Sequence, residues 1–350
     1  MRGTLLIGLI VHALVSTPVL AAKQKSPTAA LTPEIINSAQ WATGDATKKL
    51  SPVILKAEVL LSRAGFSPGV IDAHRGENLQ KSLRAYQQAN SLEPTGNLDE
   101  ATWSKLSQTS NEDTVRCYTI APADVERRFV KSIPKDYEKM AELEELGYRS
   151  PRELLAEKFH MSEDLLAALN KGKDFDESGT EIIVANVTPL EIEKLGSKRA
   201  STKGDNTRNS DRSLAERVEV NKSERAVRVF DREGKVIAYY PASIGSTEKP
   251  APSGKVEVRS VALNPTYRYD PKYEFKGQKA TEPVEVSPGP NNPVGLVWIA
   301  LSAESYGIHG TPEPDKISKT ESHGCVRLTN WDALALAKFV KKGTPVEFVE

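Results

Sequence analysis

Ser322-His323-Gly324-Cys325-Val326-Arg327-Leu328 is the stretch on which the reading of the whole chain turns. In three consecutive residues it joins an imidazole, a backbone joint without a Cβ and a soft nucleophile. A second imidazole, His309, lies upstream, after Val297-Trp298-Ile299-Ala300-Leu301 and Tyr306-Gly307-Ile308 and before Gly310-Thr311-Pro312. The first two runs read as strands and the third as a turn. A thiol with a pKa near ~8.5 is only slightly ionised at neutral pH, so it needs a base or a positive charge beside it. His309, held at a strand end, is the candidate base, and Arg327 supplies a fixed positive charge. Gly324 allows a sharp bend, so that the N–H groups of Gly324 and Cys325 converge on the oxygen of a tetrahedral intermediate. The chemistry this suggests is covalent acyl transfer. Taken singly, a Cys is more often a small buried hydrophobe and a His a surface or core residue. The other cysteine, Cys117, has no partner at zinc spacing, so no metal is expected.

His309-Gly310-Thr311 followed by Ser322 to Leu328 resembles the signature of the L,D-transpeptidase catalytic domain, also called the YkuD domain. The likeness extends to Gly289-Pro290-Asn291-Asn292-Pro293-Val294-Gly295 and to Thr329-Asn330-Trp331-Asp332, and covers residues 214–350. The resemblance implies Cys325 as nucleophile and His309 as its base, oriented through the carbonyl of Gly310. It implies that His323 and Gly324 shape the oxyanion site, and that Ser322, Gly310 and Arg327 contact substrate. Many members carry Asn where this chain has Arg327. No metal or organic cofactor is implied. Val218 and Val220, Ala226 to Val229, Val236 to Tyr240, and Val256 and Val258 alternate with polar residues, with Asp231-Arg232-Glu233-Gly234 as a hairpin turn. This part is therefore mainly β, in agreement with the sandwich or barrel-like fold the family implies. A helix is predicted from Asn330 through Lys342, then a strand from Pro345 to Val349. Residues 264–289 carry Tyr267, Tyr269, Tyr273 and Phe275 without a clear period, and read either as a lid over the substrate or as a surface insertion.

Upstream, Met1-Arg2, the apolar run Leu5 to Val11 and the small residues Ala21-Ala22 predict a signal peptide over 1–21, followed by a polar tether over 22–50. Residues 51–107 predict a small all-α unit of three helices, capped by Ser51 and Asp99. Leu79 to Gln88, Thr95-Gly96-Asn97-Leu98-Asp99 and Thr102-Trp103 resemble a peptidoglycan-binding domain. Residues 114–187 predict an α+β connector: a strand through Cys117, a solvated helix from Tyr137 to Leu146, then two short helices and a strand. The second part resembles a degenerate LysM module, a binder of sugar polymers, and a purely structural linker is the alternative. Cys117 is expected in its core. Residues 197–213 hold almost nothing apolar and predict a linker.

With 47 basic and 47 acidic residues among 350, the chain has no net field to attract nucleic acid or an anionic membrane. After the signal peptide nothing is apolar enough to span a bilayer. The expectation is an exported enzyme of the periplasm or cell wall whose partners are peptidoglycan stem peptides and glycan strands, with a lipoprotein as a further acceptor. A hydrolase using the same cysteine, with water as acceptor, is the nearer alternative. A silent wall-binding protein is the alternative of another class.

Overall fold

The computed structural model describes residues 31–42, 50–191, 215–246, 249–273, 279–322 and 324–350. The signal peptide, much of the tether, the 197–213 linker and His323 lie outside the described residues. Among the described residues no helix is long and apolar enough to cross a membrane.

The first unit holds α1 (Pro33–Asn37), α2 (Pro52–Arg63), α3 (Glu77–Ala89) and α4 (Glu100–Ser107). Ser51 accepts from the N–H of Ile54 and Asp99 from that of Thr102, caps worth about 1 kcal/mol each. The helices bury Leu60, Leu61, Leu79, Leu83, Tyr86 and Trp103 against one another.

The connector holds β1 (Val115–Thr119), α5 (Pro122–Val125), α6 (Tyr137–Ala141), α7 (Pro151–Lys158), α8 (Glu163–Leu169) and β2 (Glu181–Ala185). The two strands pair antiparallel, Cys117 opposite Ile183 and Tyr118 opposite Ile182. Ile182 and Val184 are buried with α7 and α8, whereas Cys117, one residue out of phase with that face, is exposed. The expected core cysteine is therefore a surface one. The solvated helix predicted to Leu146 is also corrected. It stops at Ala141, and Leu146 is fully buried because its N–H donates to Pro288 and its carbonyl accepts from Asn291.

The C-terminal unit is mainly β and barrel-like. It comprises β3 (Arg217–Asn221), β4 (Ala226–Phe230), β5 (Val236–Pro241), β6 (Ser243–Ile244), β7 (Gly254–Leu263), β8 (Tyr267–Tyr269), β9 (Val284–Val286), β10 (Val297–Leu301), β11 (Gly307–His309), β12 (Val326–Arg327), α9 (Asn330–Ala337) and β13 (Pro345–Val349). The strand order of its large sheet is β5-β4-β3-β13-β7-β10-β11-β12-β6. The aromatic 264–289 stretch contains a two-stranded hairpin, Tyr267 opposite Val286 and Tyr269 opposite Val284. The helix after Cys325 is shorter than predicted, ending at Ala337, because the carbonyl of Phe339 turns to accept from Ala215.

The three units share cores. Leu55, Val59 and Ile71 of the first unit pack with Tyr148, Leu155 and Phe159 of the connector, and Leu60 and Leu83 pack with Ala226 and Tyr239 of the sheet. Residues 65–67 continue the sheet beside β5, with Tyr239 N–H donating to Gly65 and Ser67 N–H to Tyr239, so that edge of the sheet is covered.

Candidate active site

β11 and β12 lie parallel, with Ile308 opposite Val326 and His309 opposite Arg327. This register sets Gly307 beside Cys325 and aligns the imidazole and guanidinium across the pair. The Cys325 thiol donates weakly to the Ser305 carbonyl at 3.8 Å. Burial pushes its pKa up, and the Gly307 backbone N–H and the Arg327 charge pull it back only in part. Both cysteines of the chain are free.

His309 is 4% exposed, and its Nδ1 lies 2.7 Å from the Gly310 carbonyl. A carbonyl only accepts, so Nδ1 carries the proton and Nε2 is left with its lone pair, the form a general base needs. Burial, assisted by Arg327 and opposed by Gly310, pushes the ring down to about 3. The Trp298 indole stacks on the imidazole with centroids 5.5 Å apart. Gly307 makes room for it, since a Cβ there would lie 2.7 Å from the indole.

Gly324 is buried at φ +105°, and a Cβ would meet the Tyr306 ring at 2.9 Å, so the bend before Cys325 requires glycine twice over. Ser322, expected to contact substrate, is 3% exposed, and its hydroxyl donates to the Cys325 carbonyl, so it braces the turn. Gly310, given the same role, is buried beneath Asn330: a Cβ on it would lie 2.1 Å from Asn330 Oδ1. Arg327 is half-buried, with its charge felt by His309, Cys325 and Tyr137.

Several site residues were not legible in the sequence. Asn330 accepts from Leu296 N–H at 3.0 Å and donates to Glu157 Oε1 at 2.7 Å. A connector carboxyl is thereby tied to the residue that packs on Gly310, whose carbonyl orients His309. Burial pushes Glu157 up to about 8, Glu153 adds to this and the Asn330 hydrogen bond opposes it. Tyr137, at the start of α6, packs its ring 5.5 Å from Tyr267 and 5.0 Å from Tyr269, and hydrogen-bonds Tyr267. Burial pushes the Tyr267 phenol upward, and Tyr137 and Cys325 both add to that shift. The aromatic hairpin thus lies near enough to the thiol for the charge of one to be felt by the other, and a connector helix braces it. Asn330 lay within the quoted resemblance without a role, whereas Tyr137 and Glu157 gave no local signal.

Comparison with known families and proteins shows what the chain is similar to. Residues 215–348 match the L,D-transpeptidase catalytic domain. Residues 52–106 match the family described as "Putative peptidoglycan binding domain". Over 130 residues the chain is 31% identical to "Putative L,D-transpeptidase YkuD" of Bacillus licheniformis, a match covering 37% of this chain and 63% of that protein. Over 138 residues it is 31% identical to "Probable L,D-transpeptidase YbiS" of Escherichia coli, covering 39% of this chain and 45% of that one. A solved L,D-transpeptidase from Mycobacterium smegmatis is 19% identical with a TM-score of 0.31, over 38% of this chain and 58% of that one. The chain spans less than two thirds of either curated protein's length.

Proposed function

We propose that this chain is an exported L,D-transpeptidase that remodels peptidoglycan through a thioester on Cys325. The observation that supports this most directly is the parallel pairing of β11 with β12, whose register sets Cys325 beside Gly307, two residues along the strand from a δ-protonated His309 whose Nε2 keeps its lone pair. In this reading Nε2 of His309 takes the thiol proton as Sγ attacks the carbonyl of the L-centred third residue of a donor stem peptide. The C–N bond to the terminal D-alanine breaks, and the proton passes to its amine. An amine of a second stem peptide, or of a lipoprotein, then attacks the thioester. A C–N bond forms, the C–S bond breaks, and the amine proton returns through His309 to the thiolate. The backbone N–H groups near Gly324 receive the oxyanion at each step. Arg327 holds positive charge beside the developing thiolate and a substrate carboxylate.

The N-terminal units would keep the enzyme on an insoluble polymer, raising local concentration without altering the chemistry. Incubating the purified protein with disaccharide-tetrapeptide and reading products by mass spectrometry tests the proposal. Cross-linked dimers support transfer, tripeptide alone turns the reading to hydrolysis, and neither product leaves a wall-binding protein. Cys325→Ala is expected to abolish every product while sedimentation with cell-wall sacculi persists.

A further inference from the structure

The first turn of α9 packs directly beneath the peptide that orients His309. Asn330, its first residue, sets Oδ1 against Gly310 and Gly295, so closely that a Cβ on either glycine would overlap that atom. The same Oδ1 accepts from Leu296 N–H at 3.0 Å, and Gly310 N–H donates to the Val297 carbonyl at 3.2 Å. The Gly310 peptide is therefore held between the Asn330 amide and the start of β10, with its carbonyl on His309 Nδ1. A displaced amide moves that carbonyl, and the imidazole loses its fixed orientation.

Two connector residues hold this turn from outside the catalytic domain. Glu157, in the last turn of α7, accepts from Asn330 Nδ2 at 2.7 Å. His160, three residues on, stacks its ring on Trp331, with centroids 5.1 Å apart and planes 8° from parallel. One end of α7 thus grips consecutive residues of α9, Asn330 by its amide and Trp331 by its indole. The grip carries strain. His160 takes φ +60°, and its Nδ1 is buried with no hydrogen-bond partner among the described residues. Its backbone is pinned in that state, since its N–H donates to the Glu157 carbonyl and its carbonyl accepts from Ile71 N–H. Such strain persists only where the surroundings over-determine it, and it concentrates at functional sites. Packing two helices together requires neither a buried carboxyl nor a left-handed histidine.

We propose that Glu157 and His160 are positioning residues for His309: through Asn330 and Trp331 they fix the first turn of α9, and with it the Gly310 carbonyl that holds the Nδ1 proton. The connector is then part of the catalytic apparatus as well as a link between units. The effect on rate rests on the transpeptidase reading and deepens it, whereas the effect on the imidazole is read without substrate.

The full chain with isotope-labelled histidine tests this. It has five histidines, and the Nδ1–H resonance of His309 is the one lost in His309→Gln. That proton is buried and hydrogen-bonded, so in the native protein it is expected to exchange slowly with solvent. Glu157→Leu removes the acceptor and should both speed the exchange and lower kcat by about tenfold, the equivalent of one hydrogen bond, with KM little changed. Glu157→Gln restores an acceptor and should recover most of both losses. His160→Asn suits the left-handed backbone but removes the stacked ring, and should shift both readouts about threefold. A Glu157→Leu protein that melts earlier yet keeps the native exchange and kcat overturns the proposal, because the contact is then structural alone. A Glu157→Gln protein as impaired as Glu157→Leu overturns it too. Should Glu157→Leu fail to fold, His160→Asn decides by the same readouts. A native protein that forms no product overturns the transpeptidase reading, and the exchange rates then decide the positioning role by themselves.

Discussion

Burial shifts the two central groups so that both are neutral at neutral pH. The thiol is pushed up from its ordinary value and the imidazole is pushed down to about 3, so the resting site holds thiol and imidazole rather than a thiolate–imidazolium pair. In the proposed reaction, ionisation of the sulfur then has to accompany attack on substrate. Alkylation of Cys325 by iodoacetamide should accordingly be slow at pH 7 and keep rising beyond pH 9, and Arg327→Gln should move that rise to still higher pH. A rate that levels off below pH 7 would contradict this. The setting of His309 is equally exacting about its glycines. Gly310→Ala would drive a Cβ to within 2.1 Å of Asn330 Oδ1, at a cost of about 1–3 kcal/mol in stability, and should lower turnover by displacing the carbonyl that orients His309. Denaturant midpoints and product formation measured on the same preparation check both effects.

At the level of elements, β11 and β12 set His309 and Cys325 two residues apart along one strand pair, while α7 and α6 of the connector brace the site through Glu157 and Tyr137. Glu157 carries a pH signature. Its folded pKa, raised to about 8 by burial, makes the protonated form the stable one in the folded protein. The favourable contribution is fully present below the ordinary carboxylate value and declines by ~1.4 kcal/mol per pH unit as pH rises towards 8. Glu157→Gln keeps an acceptor for Asn330 and removes the titration. Its plot of Tm against pH should be shallower between pH 5 and 8, and the variant should be more stable than the native protein at pH 8. Parallel curves would sink the assignment. Some slope should remain, because burial also raises Asp332, to about 7, against its hydrogen bonds from Ser67 and Thr329. Tyr137→Ala removes the brace on the aromatic hairpin, and protection of amides in β8 and β9 against hydrogen exchange should fall.

Over the whole molecule, the units that read as separate modules pack as one body from Leu31 onward. Residues 65–67 extend the catalytic sheet, Ser67 Oγ donates to Asp332 at 2.9 Å, and Asn78 donates to the Ile317 carbonyl at 3.2 Å. Because the cores are shared, thermal unfolding reported by Trp103 of the first unit and by Trp331 of α9 should coincide. Two resolved transitions would show that the units melt independently. Gly65→Val tests the seam directly. That position has φ +85° and a Cβ would lie 3.0 Å from the Ile237 carbonyl, so the variant should melt earlier throughout the molecule rather than in the helices alone.

Local chemistry carries much of this protein by itself. The spacing of Ser51 and Asp99 before apolar periods, the alternation from Val218 onward and the glycine before Cys325 each constrain their own few residues, so they can be read without neighbours. What sequence could not supply is phase and distance. Cys117 is exposed because its strand packs by the opposite face, and Ser322 turns inward because the Cys325 carbonyl needs its hydroxyl. The helix at Tyr137 has a charged sequence that suits water, yet its first ring meets a hairpin more than a hundred residues away. The link from Glu157 through Asn330 to Gly310 likewise joins segments far apart along the chain. Such contacts leave no local pattern, because they depend on how already formed elements dock, and only the tertiary structure decides that.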